Sequence, residues 1–250
     1  MIVTMDGHNI VYKEGNSNSK KVVLLCHGIT SSKDEGGFYI ELSKHLEEIG
    51  FNTFRFDFRG HGESKITSEN ATIAGMLIDL NTIINYLDGK YDKIYIVAAS
   101  FGASILLLLS QQIKFSKVMK VALLNPVTSY ESTFTSANVP WGKSFFPQGG
   151  INSVFKKKQI IINEKKFKFN PEMAVEFYYY KPQDTNWNSY IPMVIFHGTK
   201  DQTVSIEDSK YFVRKQLPKH IELVELSKSS HGLEEEIDLL FNKLDNFLEE

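Results

Sequence analysis

The sequence predicts an α/β protein: eight strands in a mostly parallel sheet, helices on both faces, and one long insertion near the middle. Three observations carry this. Strand-length apolar runs alternate with segments of helical spacing, which is the pattern of a parallel sheet with crossover helices. That alternation stops at Asn125-Pro126 and resumes at Pro192. With 250 residues, 42% hydrophobic and 23% charged, the chain has the composition of an ordinary globule with a sizeable core.

Each element follows in order. Residues 2–12 alternate apolar and polar about Asp6-Gly7, a dipeptide suited to a tight hairpin, so the chain is expected to open with a short antiparallel pair. After the polar loop 15–19, Lys21–Cys26 (KVVLLC) is a continuous apolar run, the mark of a strand covered on both faces. Residues 38–49 have helical spacing and stop at Gly50, a residue suited to a left-handed C-cap. Strands over 53–58, 93–99 and 118–124 then alternate with helices over 73–87 and 102–113. The first of those helices carries Ile73, Met76, Leu77, Leu80, Ile84 and Leu87 on one stripe behind Thr72 as N-cap. Beyond the break come a strand over 192–197, a helix from Ser205 to Leu217, a strand over 220–226 and an amphipathic helix over 234–248.

The insertion, residues 127–190, holds 14 of the 31 aromatics, both Trp (Trp141 and Trp187) and eight Lys against five acids. A segment this long and rich in rings, set between two core strands, reads as a functional cap on a core made of 1–126 and 191–250.

Composition excludes several classes. One Cys cannot make an intramolecular disulfide or a Cys-rich metal site, and a formal charge of -2 gives no general pull toward nucleic acid or anionic membrane. The N-terminus lacks the basic and apolar segments of a signal peptide, and the longest apolar stretch, 105–109, is far too short to span a bilayer, so a cytoplasmic protein is expected. No phosphate loop, dinucleotide fingerprint or metal-spaced ligand set is present, and neither cofactor nor metal is expected.

The chemistry centres on Ala98-Ala-Ser100-Phe-Gly102, between a predicted strand and a helix. A small residue two before Ser100 and Gly102 two after it permit the sharp turn that exposes a nucleophilic hydroxyl at the carboxyl edge of a sheet. A serine hydroxyl needs a base, and the base an orienting acid. Among seven His, position at a strand end selects His231, in Ser-Ser-His231-Gly232 after the last strand; Asp201, after the strand 192–197, is the matching acid. His45, on a helix face, is expected to be solvated surface. Two backbone N–H groups should hold the developing oxyanion: that of Phe101, after the nucleophile, and that of Ile29, where His27-Gly28 lets the chain turn closely past the site. Cys26 ends an apolar strand and reads as a buried structural thiol.

These residues resemble the α/β-hydrolase superfamily; within it the stretches 27–35, 38–50 and 54–64, the last ending in Arg59-Gly-His-Gly-Glu-Ser64, resemble the serine-hydrolase branch of bacterial cinnamoyl/feruloyl esterases and monoacylglycerol lipases. The departure is Ala98 where that pattern has Gly. The resemblance implies an α/β-hydrolase fold, a triad of Ser100, Asp201 and His231, oxyanion amides at Ile29 and Phe101, a structural turn over 59–64 and a substrate-covering cap at 127–190. The function expected is hydrolysis of a small-molecule carboxylic ester with an apolar or aromatic acyl group. An acyl thioesterase or acyltransferase using the same residues, and a non-catalytic binder of the same fold, are the alternatives. No nucleic-acid partner and no membrane span are expected, and homodimerisation is left open.

Overall fold

The computed structural model describes residues 1–136, 138–146, 151, 153–157, 160–162, 166–187, 190–216 and 221–249. The central sheet is built from β3 (Tyr12–Glu14), β4 (Lys21–Cys26), β5 (Asn52–Phe56), β6 (Lys93–Ala99), β7 (Val118–Leu124), β10 (Met193–Gly198) and β11 (Ile221–Leu226), in the order β11-β10-β7-β6-β4-β5-β3. All neighbours run parallel except β3 with β5.

The sheet therefore has seven strands, not the eight expected. The opening pair, β1 (Ile2–Val3) and β2 (Asn9–Ile10), forms a separate two-stranded ribbon. Its turn is as expected, with Gly7 at φ +85°. The physical reason for its separation is burial: β1 packs on helix α2 (Ile73–Lys90), Ile2 and Ile10 are both buried in the same hydrophobic core as that helix, and only the continuation at Tyr12 pairs with Phe56.

The alternation of side chains along β4 divides the core in two. Val22, Leu24 and Cys26 pack with α2 and α3 (Ser100–Leu109). Val23 and Leu25 pack on the other face with α1 (Phe38–Glu48) and α8 (Ile237–Glu249) through Tyr39, Leu42, Leu46, Leu240, Leu244 and Leu248. Helices thus cover both faces, as the continuous apolar runs require. Helix α2 starts where expected, the Thr72 hydroxyl accepting from the Gly75 amide at 3.0 Å, and α1 ends at Gly50 with φ +92°. Helix α7 (Ile206–Lys215) has Ser205 as its cap; the expected ends at Leu217 and His220 lie outside the described residues.

His45 is not simply solvated. Its Nε2 lies 2.9 Å from Asp245 and its ring stacks on Phe241 at 4.7 Å, tying α1 to α8. The segment 59–64 is anchored by Arg59, whose guanidinium donates to the fully buried Asp79 of α2 at 2.7 Å and to Asp6 of the ribbon at 2.6 Å. Replacing Asp79 with Ala leaves a buried guanidinium half-paired, and chemical denaturation should show a loss of about 3–5 kcal/mol.

In the segment 127–190 the described elements are a helical turn at Glu131–Thr135, α4 (Pro140–Phe145), α5 (Ser153–Lys157), β8 (Ile160–Ile162), β9 (Phe167–Phe169) and α6 (Pro171–Tyr179). The helical turn, α4, β9 and α6 share a ring cluster in which Phe134 stacks on Phe177 at 4.4 Å and meets Phe169, Phe146 and Trp141 edge-on. Phe101 joins that cluster from α3, touching Tyr130, Phe134 and Phe177. Among the described residues no helix is long and apolar enough to cross a membrane.

Candidate active site

Ser100 follows β6 and opens α3, in the left-handed region with φ +49°. A non-glycine residue is held there only when its surroundings dictate it. The determinant is Gly102: a Cβ there would lie 2.5 Å from the His27 carbonyl oxygen and 2.6 Å from that of Cys26, so only glycine lets α3 pass this close to the end of β4. At Gly28 the approach is less severe: a Cβ would stand 3.1 Å from Ser100 Cβ, a tight contact rather than a backbone clash. Ala98 is fully buried in register with Cys26 and Leu123, where its methyl is accommodated.

Parallel strands bring their carboxyl ends to one edge, and there the structure assembles residues remote in sequence. His231 Nε2 lies 3.2 Å from Ser100 Oγ, and His231 Nδ1 lies 2.7 Å from Asp201 Oδ2. A ring nitrogen facing a carboxylate must carry the proton, so Nδ1–H donates to Asp201 and Nε2 presents its lone pair to the Ser100 hydroxyl. Asp201 Oδ1 accepts from the Thr203 and Val204 amides at 2.7 and 2.9 Å. Burial works to raise the Asp201 pKa, but hydrogen bonds from His197, His231 and the Val204 amide, with the charge of His231, hold it well below the usual carboxylate range.

The remaining expected residues are close by. The His27 ring donates from Nδ1 to the Gly28 carbonyl at 2.8 Å and accepts the Phe58 amide on Nε2 at 3.0 Å, so it is held as a neutral brace between β4 and the 59–64 turn. The Gly28 N–H is engaged by Glu35 Oε2 at 2.6 Å. The Phe101 N–H belongs to the first turn of α3, where helix amides have no intrahelical acceptor. Cys26 is fully buried, and burial pushes its thiol above the ordinary range.

A cavity of about 320 Å³ opens over Ser100 and His231, lined by Ile29, Glu35, Val127, Phe134, Trp141 and Val204 among others. Phe134 and Trp141 come from the 127–190 segment.

Sequence reasoning missed Asn125. Its Nδ2 donates to the His231 carbonyl at 2.6 Å and its Oδ1 accepts the Gly198 amide at 2.9 Å, so one buried side chain fastens the His231 loop to the strand that carries Asp201. Its position at a strand end, before Pro126, marked it only as a break in the pattern. Glu35 was missed as well, because nothing in its sequence neighbourhood links it to a backbone amide seven residues earlier.

A family model described as serine aminopeptidase, S33 (Hydrolase_4) matches residues 17–238. The chain belongs to this family of α/β hydrolases. Solved structures of similar fold include ferulic-acid-bound Est1E from Butyrivibrio proteoclasticus (TM-score 0.80, 19% identity, covering 99% of this chain and 97% of that one). Another is a monoacylglycerol lipase from Paleococcus ferrophilus (TM-score 0.74, 16% identity, 96% and 98%). A third is the esterase EaEST from Exiguobacterium antarcticum (TM-score 0.73, 17% identity, 100% and 98%). At these identities the likeness establishes the fold. This S33 hydrolase therefore has the architecture expected, less one strand.

Proposed function

We propose that this S33-family hydrolase cleaves carboxylic esters through an acyl-enzyme on Ser100. The observation that carries the reading is the line of contacts from Ser100 Oγ to His231 Nε2 and from His231 Nδ1 to Asp201 Oδ2, at the floor of a formed cavity. Ser100 Oγ attacks the ester carbonyl while His231 Nε2 takes its proton. Asp201 holds the Nδ1–H tautomer and stabilises the imidazolium. The proton then passes to the leaving alkoxide as the C–O bond breaks. Water, deprotonated by His231, attacks the acyl-enzyme carbonyl; the Ser100 Oγ–C bond breaks, the acid leaves, and His231 returns the proton to Ser100 Oγ.

The oxyanion is assigned to the Phe101 and Ile29 amides. Glu35 already occupies the Gly28 N–H, which leaves Ile29 as the donor from that loop. Residues 127–190 act as the cap, supplying Phe134 and Trp141 as an apolar wall. The names of the similar structures, an esterase with ferulic acid and a monoacylglycerol lipase, support ester cleavage.

At about 320 Å³ the cavity is at the small end for ligand pockets, which favours a short acyl chain or a single aromatic ring. Among the described residues lining it, Glu35 is the one carboxylate, and no Lys or Arg faces it. A p-nitrophenyl ester series should therefore peak between butyrate and octanoate and fall about tenfold or more by palmitate, with methyl ferulate accepted. A hemisuccinate ester should be cleaved more slowly than its neutral isostere. A profile that rises steadily to palmitate contradicts the assigned pocket. Faster turnover of a matched acyl-CoA would favour the thioesterase alternative.

A further inference from the structure

Asp201 has a second histidine against it. His197, the penultimate residue of β10, is fully buried, and its Nε2 lies 3.5 Å from Asp201 Oδ2 and 3.3 Å from the Val204 carbonyl oxygen. Both neighbours of Nε2 are acceptors, so this nitrogen carries the proton, shared between them. On the other side Nδ1 lies 2.9 Å from the buried Ser209 Oγ of α7, whose hydroxyl donates to it. The ring is thus held from behind by α7 and directed at Asp201. The oxygen it faces is the one that accepts from His231 Nδ1.

We propose that His197 is a positioning residue for the reaction: it shares the Asp201 charge with His231 and so sets how strongly that carboxylate stabilises the His231 imidazolium. This rests on the Ser100, His231 and Asp201 reading above. The physical argument is local. The positive end of an N–H dipole beside Oδ2 reduces the negative potential felt at His231. Removing it leaves Asp201 a stronger partner for the imidazolium, so a higher pH is needed to free the His231 base. The other groups facing this pair are Asp208, whose carboxyl is near His197 on α7, Glu35 across the cavity, and Glu235, which holds Ser230 beside His231. A substitution at His197 alone leaves each of these residues chemically unchanged.

Two substitutions of similar size separate this role from simple packing. In His197→Gln the amide nitrogen reaches the place of Nε2, whereas in His197→Asn it reaches only the place of Nδ1, toward Ser209. Measured as kcat/KM against pH on a p-nitrophenyl short-chain ester, H197N should move the acid limb up by about 0.5–1 pH unit. That corresponds to a loss of about 3–10-fold on the acid side, with KM little altered. H197Q should keep the limb within about 0.2 unit of wild type. The His231 Cε1–H titration followed by NMR should move by the same amount in H197N, and this readout does not depend on turnover. Equal limbs and equal NMR midpoints in all three proteins, with activity lowered uniformly, would overturn the proposal. If H197N does not fold, Ser209→Ala takes its place: a smaller upward shift supports the proposal and an unmoved limb overturns it. Wild-type turnover that does not depend on Ser100 would instead defeat the esterase reading, while the NMR shift would still report on His197.

Discussion

Ser100→Ala should lower kcat on a p-nitrophenyl short-chain ester by at least about 10⁴-fold, because neither His231 nor Asp201 has anything to activate once the hydroxyl is gone. The fold should hardly notice. The Ser100 hydroxyl has its contact with His231 Nε2, and alanine keeps the backbone atoms that form the turn, so the unfolding free energy should stay within about 1 kcal/mol of wild type. The pairing of a very large kinetic loss with a small stability change separates a nucleophile from a structural serine. A variant that keeps more than about a hundredth of the wild-type rate would show that Ser100 is not the nucleophile.

Gly102→Ala should give the opposite balance, failing in stability as well as in rate. The added methyl would fall 2.5 and 2.6 Å from the carbonyl oxygens of His27 and Cys26, both backbone atoms at the end of a central strand that cannot rotate away. Relief requires α3 to withdraw from β4. This places the substitution at the upper end of overpacking effects, about 3 kcal/mol, or about 6–12 °C in Tm for a chain of this size. Because α3 carries Ser100 and the Phe101 amide, the same movement pulls both away from the substrate, and kcat/KM should fall by about 100-fold. Thermal unfolding beside steady-state kinetics checks both halves. Wild-type Tm would mean that the close approach of α3 to β4 is not what fixes the turn.

Ser100 and Gly102 also show why part of this molecule was legible in its sequence. The run KVVLLC has the length and continuity of a doubly covered strand, and Ala-Ala-Ser-Phe-Gly between a strand and a helix leaves few alternatives for Ser100. Strand ends on a parallel sheet share an edge, so Asp201 and His231 could be placed near Ser100 from chain order alone. What escaped was whatever depends on contacts between remote segments with no local pattern. Asn125 fastens the His231 loop, Glu35 occupies the Gly28 amide and His197 leans on Asp201, yet each is an ordinary polar residue in its own neighbourhood. The ribbon at residues 2–10 has correct strand alternation, but whether its apolar face meets a strand or a helix is decided by the packing of β1 on α2. Within 127–190 Tyr130, Trp141, Phe146, Phe169 and Phe177 gather about Phe134, which short elements of three to nine residues do not reveal by periodicity. The exposed-looking His45 belongs to the same class, since its partner Asp245 is 200 residues away.

The central claim is that Ser100 is an activated nucleophile. A fluorophosphonate tests it directly, because the probe reacts with a serine only when a neighbouring base removes its proton and amides hold the resulting oxyanion. Intact-mass and peptide mass spectrometry of the labelled wild-type protein should show one phosphonyl adduct, on the peptide containing Ser100, and none in Ser100→Ala or after prior incubation with a slowly released ester. A folded wild-type protein that takes up no label, or takes it up at another residue, would contradict the account.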